Sequence, residues 1–325
     1  VKVKYDKYLK SEMPEQLCGL TKRLKGQKPA IFPDRGLLIE VYWMSYRDRI
    51  TLRDAMKGIV EEPLLHLVPK RFDYIGDIAV ISIPAELEAY REAIVSKILS
   101  MRGNTRAVLN KVSKLEGERR VAHFELLAGE SAETLHRENG YTYKMDVRKV
   151  FFNPRLYWER ARVASKVLPG ESILIPFAGV GPFVLPSAGK GTSVYAIEIN
   201  PDACACLKEN IRLNKLERQV TVIQGDADFT LSHPGSLEAD GFNVPENGFN
   251  RAIVPTPYGM DHFLGKVSEH IKKGGHIHFY TFKTENQIPE LIEDYKKMGL
   301  EVDFYRRTGN VAPGVSRWVF DLVKK

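Results

Sequence analysis

The stretch Ser172-Ile173-Leu174-Ile175-Pro176-Phe177-Ala178-Gly179-Val180-Gly181-Pro182-Phe183 decides the fold. Three aliphatic residues followed by two glycines one residue apart read as a buried strand ending in a turn where backbone can approach a ligand. Outward from it, Val194-Tyr195-Ala196-Ile197, Val220-Thr221-Val222-Ile223, Ala252-Ile253-Val254 and His276-Ile277-His278-Phe279-Tyr280 repeat the short apolar pattern. Asp202 to Asn214 and Met260 to Lys272 have helical length and spacing between them. Such alternation predicts an α/β class, a Rossmann-like doubly wound sheet with parallel strands. Val302 to Tyr305 and Trp318 to Val323, joined by a turn around Gly309 to Gly314, predict an antiparallel edge.

Upstream the pattern changes to α+β, with strand-like Leu37 to Tyr42, Ile78 to Ile83 and Val121 to Leu127 and a helical Ala85 to Met101. The polar break at Pro69-Lys70-Arg71 divides this half into two smaller domains, 1–68 and 69–150, ahead of a sheet domain at 151–325. His233 to Asn250, rich in Gly, Pro and acids, reads as a long loop. A composition of 43% hydrophobic and 27% charged residues excludes wholesale disorder, collagen and coiled coil. No apolar run reaches membrane-spanning length, and the start Val1-Lys2-Val3-Lys4 lacks a secretory pattern, so no membrane partner and a cytoplasmic location are expected. Cys18, Cys204 and Cys206 are too few for a disulfide framework or a four-cysteine zinc site. No metal site is expected, since Cys204 and Cys206 point to different helix faces and His276 and His278 sit in a sheet-core run. The net charge of +7 is compatible with a polyanionic partner without specifying one.

The turn Phe177, Ala178, Gly179, Val180 and Gly181 lacks the third glycine of a dinucleotide fingerprint and any Gly-Lys-Ser/Thr, so a pyrophosphate cradle is not supported. Glu198, two residues before Asn200, ends the second strand where a carboxylate accepts from both ribose hydroxyls of an adenosine. Asp226 closes the third, within reach of an adenine amino group, although a loop cap is the plainer reading for it alone. Glycine turn, ribose acid and adenine acid without a phosphate site point to S-adenosylmethionine rather than NAD.

Lys149-Val150-Phe151-Phe152-Asn153-Pro154-Arg155-Leu156 followed by Glu159-Arg160, the Phe-Ala-Gly-Val-Gly-Pro-Phe turn, and Ala196-Ile197-Glu198-Ile199-Asn200-Pro201 with Glu209-Asn210-Ile211 and Leu213-Asn214-Lys215 resemble the archaeal and eukaryotic tRNA (guanine-37-N1)-methyltransferase family. Gly129-Glu130 and His136 to Gly140 extend the likeness, which runs from about Phe72 to the C-terminus. The resemblance implies a class I S-adenosylmethionine-dependent methyltransferase fold, a middle domain completing the active site, and an N-terminal module gripping tRNA away from the anticodon. A monomer is the expected state.

Methyl transfer to N1 of guanine needs a carboxylate to take the ring proton and a cation or donor at O6. Asn153-Pro154 reads as an N-cap with proline at the first helical position, which places Glu159 early in a helix. In the family the matching Glu is the base; from the residues alone, an Arg155–Glu159 pair at i,i+4 on a solvated face is the preferred reading. The resemblance also implies Arg120 at O6, Arg160 beside guanine or the cofactor carboxylate, and substrate contacts from Asn153, Arg155, Pro257 and Tyr258. Where the family carries Asn-Leu-Pro, this chain has Pro255-Thr256-Pro257. Proline at 255 removes an amide that helps orient the base, and the sequence looks like the archaeal wyosine-linked branch, whose members methylate C7 of 4-demethylwyosine, some besides N1 of guanine. Transfer of a 3-amino-3-carboxypropyl group, and a catalytically idle tRNA-binding protein, are the alternative readings.

Overall fold

The computed structural model describes residues 50–113, 122–233 and 245–325. Leu37 to Tyr42 therefore lies outside the described residues, as does Arg120. From Thr51 to Lys325 the chain forms one compact unit. It begins with short helices α1 (Leu52–Ala55) and α2 (Glu62–Leu65), Thr51 capping the first by accepting from the Asp54 amide. Strands β1 (Asp73–Ile75) and β2 (Ile78–Ile81), helix α3 (Arg91–Met101), β3 (Ala107–Lys111) and β4 (Phe124–Ala128) follow, making a four-stranded sheet in the order β1-β2-β3-β4. β2 and β3 are parallel because α3 carries the crossover.

Alternation sets the two faces of this sheet. Ala79, Ile81 and Val108 face a core with Leu52, Met56, Val60, Leu65, Val68 and Ile94. Ile78, Ala107 and Leu109 face the opposite way, into a core shared with the second half of the chain. The residues before the expected break at 68/69 thus share a core with those after it.

The hairpin β5 (Glu133–Glu138) and β6 (Tyr141–Asp146) joins the halves. On one side Gly76 N–H donates to His136 Nδ1 at 3.1 Å and Thr134 Oγ1 donates to Asp77 at 2.7 Å. On the other, Asn210 and Asn214 accept from the amides of Lys144 and Thr142 at 2.7 and 2.9 Å, and Asn214 returns a bond to Thr142 O at 2.7 Å. Two side-chain amides complete the edge of β6 as a further strand would.

The second half runs α4 (Tyr157–Lys166), β7 (Ser172–Pro176), α5 (Val184–Ala188), β8 (Ser193–Glu198), α6 (Pro201–Leu213), β9 (Val220–Gln224), α7 (Ala227–Ser232), β10 (Phe249–Val254), α8 (Phe263–Glu269), β11 (Ile271–Lys283), α9 (Ile288–Lys297), β12 (Leu300–Ala312) and β13 (Val315–Lys324). The seven strands lie in the order β12-β13-β11-β10-β7-β8-β9, parallel except for β13, which is antiparallel to both its neighbours. The chain reverses between β7 and β10, so the crevice at their carboxyl ends is the topological switch point.

Two expected boundaries move. The helix expected over 260–272 is only Phe263–Glu269, because Ile271 already pairs beside Phe249 as part of a 13-residue strand. The turn expected around 309–314 shrinks to Pro313-Gly314: β12 continues to Ala312 through three register shifts, and Gly314 at φ 75° makes the reversal.

Candidate active site

The glycine turn holds unusual backbone. Phe177 has φ 58°, a conformation that costs a non-glycine residue energy and is tolerated where surroundings enforce it. Here the Phe177 ring packs on Phe263, centroids 4.8 Å apart, and the next amide, Ala178 N–H, donates to Ile197 O at 3.0 Å. The two glycines differ in purpose. A Cβ on Gly179 (φ 56°) would meet nothing nearer than Phe151 O at 3.9 Å, so the backbone there is open to a ligand. A Cβ on Gly181 (φ 95°) would stand 2.5 Å from Leu207 Cδ1, so this glycine serves the packing of α6. Gly181, expected at the cofactor, is thus a packing position, and Val180 is buried in the same core.

Glu198 accepts from Gly179 N–H at 2.7 Å through one oxygen and from Asn200 N–H at 2.9 Å through the other. Burial raises its pKa, against the backbone bonds from Asn200, Gly179 and Ile199. With three backbone donors on two oxygens, the carboxylate keeps acceptor capacity for a ribose hydroxyl. Asn200, expected among the cofactor contacts, has its amide engaged: it caps α6 by accepting from Asp202 N–H at 3.0 Å and donates to Lys149 O at 3.0 Å. Asp226 caps α7, accepting from Phe229 N–H at 2.8 Å through one oxygen, as the plainer reading had it. Cys204 donates to Glu198 O at 3.2 Å, and burial, then the Glu198 charge, pushes its thiol up to about 12.

Arg160 overturns an expectation. Its side chain is 1% exposed and forms a two-pronged ion pair with Glu138, while Nη1 donates to Asn153 O at 3.0 Å and the guanidinium lies 5.1 Å from the Phe152 ring. Buried carboxylate and guanidinium satisfy each other, and the group fastens α4 to the β5–β6 hairpin instead of reaching a cofactor. Asn153 caps the turn at Pro154–Leu156 by accepting from Arg155 N–H at 3.0 Å. Arg155 pairs with Asp73 at 2.7 Å, not with Glu159.

Glu159 is 3% exposed, which removes the solvated i,i+4 reading. Arg162 Nη2 donates to it at 2.6 Å, Tyr280 Oη at 2.9 Å, and Arg306 Nη2 closes the other oxygen. Burial pushes its pKa up, but hydrogen bonds and charge from Arg162 and Arg306 outweigh this and hold the carboxyl below the usual range. Tyr280 also packs its ring 5.5 Å from Phe183 at the end of the glycine turn. Val254 of β10 stands beside Phe279 of β11, so Tyr280 is level with Pro255. Pro255 thus sits at the switch-point crevice. Beyond it Thr256 is buried and bonds back to Val254 O, and Tyr258, 62% exposed, packs 5.3 Å from Phe282.

A charge chain with no counterpart in the sequence analysis continues behind Glu159. Arg162 is held from its far side by Asp321 at 2.6 and 3.0 Å, Asp321 accepts from His278 Nδ1 at 2.6 Å, and Arg251 donates to His278 Nε2 at 2.8 Å while pairing with Glu171. Two clues were available: Arg162 stands one helical turn from Glu159, and Asp321 interrupts an apolar strand opposite His278. Because Arg251 donates to Nε2, His278 is neutral with its proton on Nδ1. Burial depresses its pKa, with Arg251 and Arg162 adding and Asp321 opposing. A native state binding fewer protons than the unfolded chain loses stability as pH falls below about 6.5. Urea midpoints are expected to drop between about pH 7 and about pH 5.5, with a smaller drop in His278→Gln; His276, also depressed by burial, supplies the remainder.

Two clefts of the described residues carry cationic side chains. One, of about 380 Å³, has Phe72, Phe124, Phe151 and Phe152 in its walls and Lys111 and Arg155 among its polar lining. Another, of about 570 Å³, is lined by Arg102, Arg106, Arg137 and Lys144 together with Asp77 and Glu133. Among the described residues no helix is long and apolar enough to cross a membrane.

Strand order, glycine turn and second-strand acid define a class I S-adenosylmethionine-dependent methyltransferase fold, and Gly179 with Glu198 suits the adenosyl part of that cofactor. Residues 134–303 match the TRM5/TYW2 methyltransferase domain, and residues 52–132 the TYW2 N-terminal domain. The chain belongs to the Trm5/TYW2 family, and its cofactor is S-adenosylmethionine. It is 39% identical over 283 residues to "tRNA (guanine(37)-N(1))-methyltransferase Trm5b" of Pyrococcus abyssi, covering 85% of this chain and 80% of that one. It is 33% identical over 280 residues to the "tRNA(Phe) (4-demethylwyosine(37)-C(7)) aminocarboxypropyltransferase" of Pyrococcus horikoshii, covering 83% and 95%. A solved structure described as "The complex structure of aTrm5 and tRNALeu" superposes with a TM-score of 0.73 at 31% identity, covering 85% of this chain and 78% of that one.

Proposed function

We propose that the enzyme methylates the purine at position 37 of tRNA, at N1 of guanine, at C7 of 4-demethylwyosine, or at both, with Glu159 as the proton acceptor. The observation that carries this reading is the buried Glu159 carboxylate, tied through Tyr280 to Phe183 at the end of the glycine turn. The turn around Gly179, with Glu198 and Asp226, would hold S-adenosylmethionine, which supplies a methyl group activated on a sulfonium. Glu159 would take the N1 proton as N1 accepts that methyl group. The base must leave its stack to reach this crevice. The Phe-walled cleft beside Asn153 and Arg155 has the aromatic faces and cationic lining that suit an extruded base, and the Arg102, Arg106, Arg137 and Lys144 cleft suits backbone phosphates. Pro257 and Tyr258 border the same crevice as substrate contacts, and Arg120 is the stabiliser of O6. Recognition of the anticodon loop, a tRNA-gripping module over residues 1–68, and action in the cytoplasm belong to the same reading.

The likeness to an aminocarboxypropyltransferase over 95% of its length and the match of 52–132 to the TYW2 N-terminal domain favour one second reading, transfer of the 3-amino-3-carboxypropyl group. Mass spectrometry of position 37, after incubation with unmodified tRNA and with tRNA bearing 4-demethylwyosine, separates the two. A gain of one methyl on either substrate is expected. The larger aminocarboxypropyl adduct would establish the second reading, and no product with cofactor binding intact would defeat both.

A further inference from the structure

Glu159 is held by two arginines of different standing. Arg162 belongs to α4 and is anchored from behind by Asp321, which also pairs with Lys166 and His278. Arg306 comes from β12, is 43% exposed, and has Glu159 as its one ion-pair partner among the described residues. Tyr280 is a third, uncharged donor, fully enclosed on β11. Of the groups facing the carboxylate, only Arg306 can leave without breaking a buried contact of its own.

The surroundings of Arg306 suit an RNA backbone. Arg306 stands opposite Val319 of β13, on the sheet face that Arg317 shares by alternation. Arg317 of β13 lies 5.1 Å from the Phe282 ring, and Phe282 packs on exposed Tyr258 beside the Pro255 turn. A row of aromatic and cationic side chains therefore runs from the crevice onto the β12–β13 hairpin, the combination that single-stranded RNA exploits for stacking and phosphate contact.

We propose that Arg306 is a positioning residue that caps the Glu159 carboxylate in the free enzyme and transfers its guanidinium to a substrate phosphate when tRNA binds, releasing the base to accept a proton. The proposal rests on Glu159 being the base. A carboxylate gripped by two guanidinium groups is a weak proton acceptor, and removal of the exposed one strengthens it where strength is needed. Arg162 and Tyr280 stay in place and keep the carboxylate aimed.

The linkage is reciprocal, so binding alone reads it. With a fluorescently labelled tRNA transcript, Glu159→Gln is expected to tighten binding about two- to fivefold, the range of an exposed ion pair, because Arg306 is freed. In an Arg306→Ala background the same change is expected to have no effect. Arg306→Ala itself is expected to flatten the salt dependence of tRNA affinity by about one phosphate contact, and Arg306→Lys to restore it. Tyr280→Phe, which removes an uncharged donor, is expected to leave that salt slope unchanged. In pH profiles, Arg306→Ala is expected to move the acid limb of kcat/KM to higher pH while the acid limb of the turnover rate stays, since the first reports free enzyme and the second the bound complex.

Equal tRNA affinity of the Glu159→Gln protein and its parent would overturn the proposal. So would a turnover rate lowered about a hundredfold or more in Arg306→Ala with KM and salt slope unmoved, because Arg306 would then remain on the carboxylate throughout. Full methyl transfer by Glu159→Gln would remove the base assignment instead, and the binding cycle would still read the ion pair.

Discussion

Glu159→Gln is expected to lower methyl transfer by about 10²–10⁴-fold, the range for loss of a general base, with S-adenosylmethionine affinity unchanged. The amide keeps the shape of the carboxylate and an oxygen for Tyr280 and Arg162, but it cannot take a proton. Folding should survive: Arg162 retains its two bonds to Asp321, and Arg306 turns to water, so neither arginine is left buried and unpaired. Transfer of labelled methyl in a single turnover, beside calorimetric titration of the cofactor, gives the two readouts. Parent-level transfer would take Glu159 out of the chemistry.

Arg160→Met is expected to produce the largest loss of stability, about 3–5 kcal/mol, because the 1%-exposed Glu138 carboxylate would lose its guanidinium. Burial pushes the Glu138 pKa up, and His136 and Arg160 together bring it below the ordinary value. With Arg160 gone, the remaining partner is His136 Nε2 at 3.4 Å, on a ring whose Nδ1 accepts from Gly76 N–H. Replacing both partners, Arg160→Met with Glu138→Leu, is expected to recover much of the loss, since two apolar groups leave no stranded charge. Urea unfolding of the single and double variants measures this. Cofactor affinity in the double variant tests the structural assignment: a tenfold weakening would return Arg160 to the cofactor site.

These predictions fall on residues of unequal legibility. Glu159 could be singled out through the family resemblance of its motif, while the Asn-Pro cap upstream placed it only near a helix start. The role of Arg160 could not, because nothing in its own helix announces that Glu138, 22 residues earlier, turns inward to meet it. Glu198 was legible as the acid at a strand tip, while Asn200 beside it is explained by a cap and a contact with Lys149, 51 residues away. Gly179 and Gly181 look alike in the sequence. Only the position of Leu207 separates a glycine open to ligand from one required by packing.

By itself the sequence determined the sheet, its carboxyl-end crevice and the glycine turn there, because apolar periodicity, glycine conformational freedom and helix capping act over a few neighbouring bonds. Tertiary structure alone decided which charges meet: Glu159 with Arg306 across 147 residues, Arg162 with Asp321 across 159, and the His278–Arg251 contact between neighbouring strands. Pairing of that kind depends on where separate elements place their side chains once water is excluded between them, and the strength of each pair depends on that same burial.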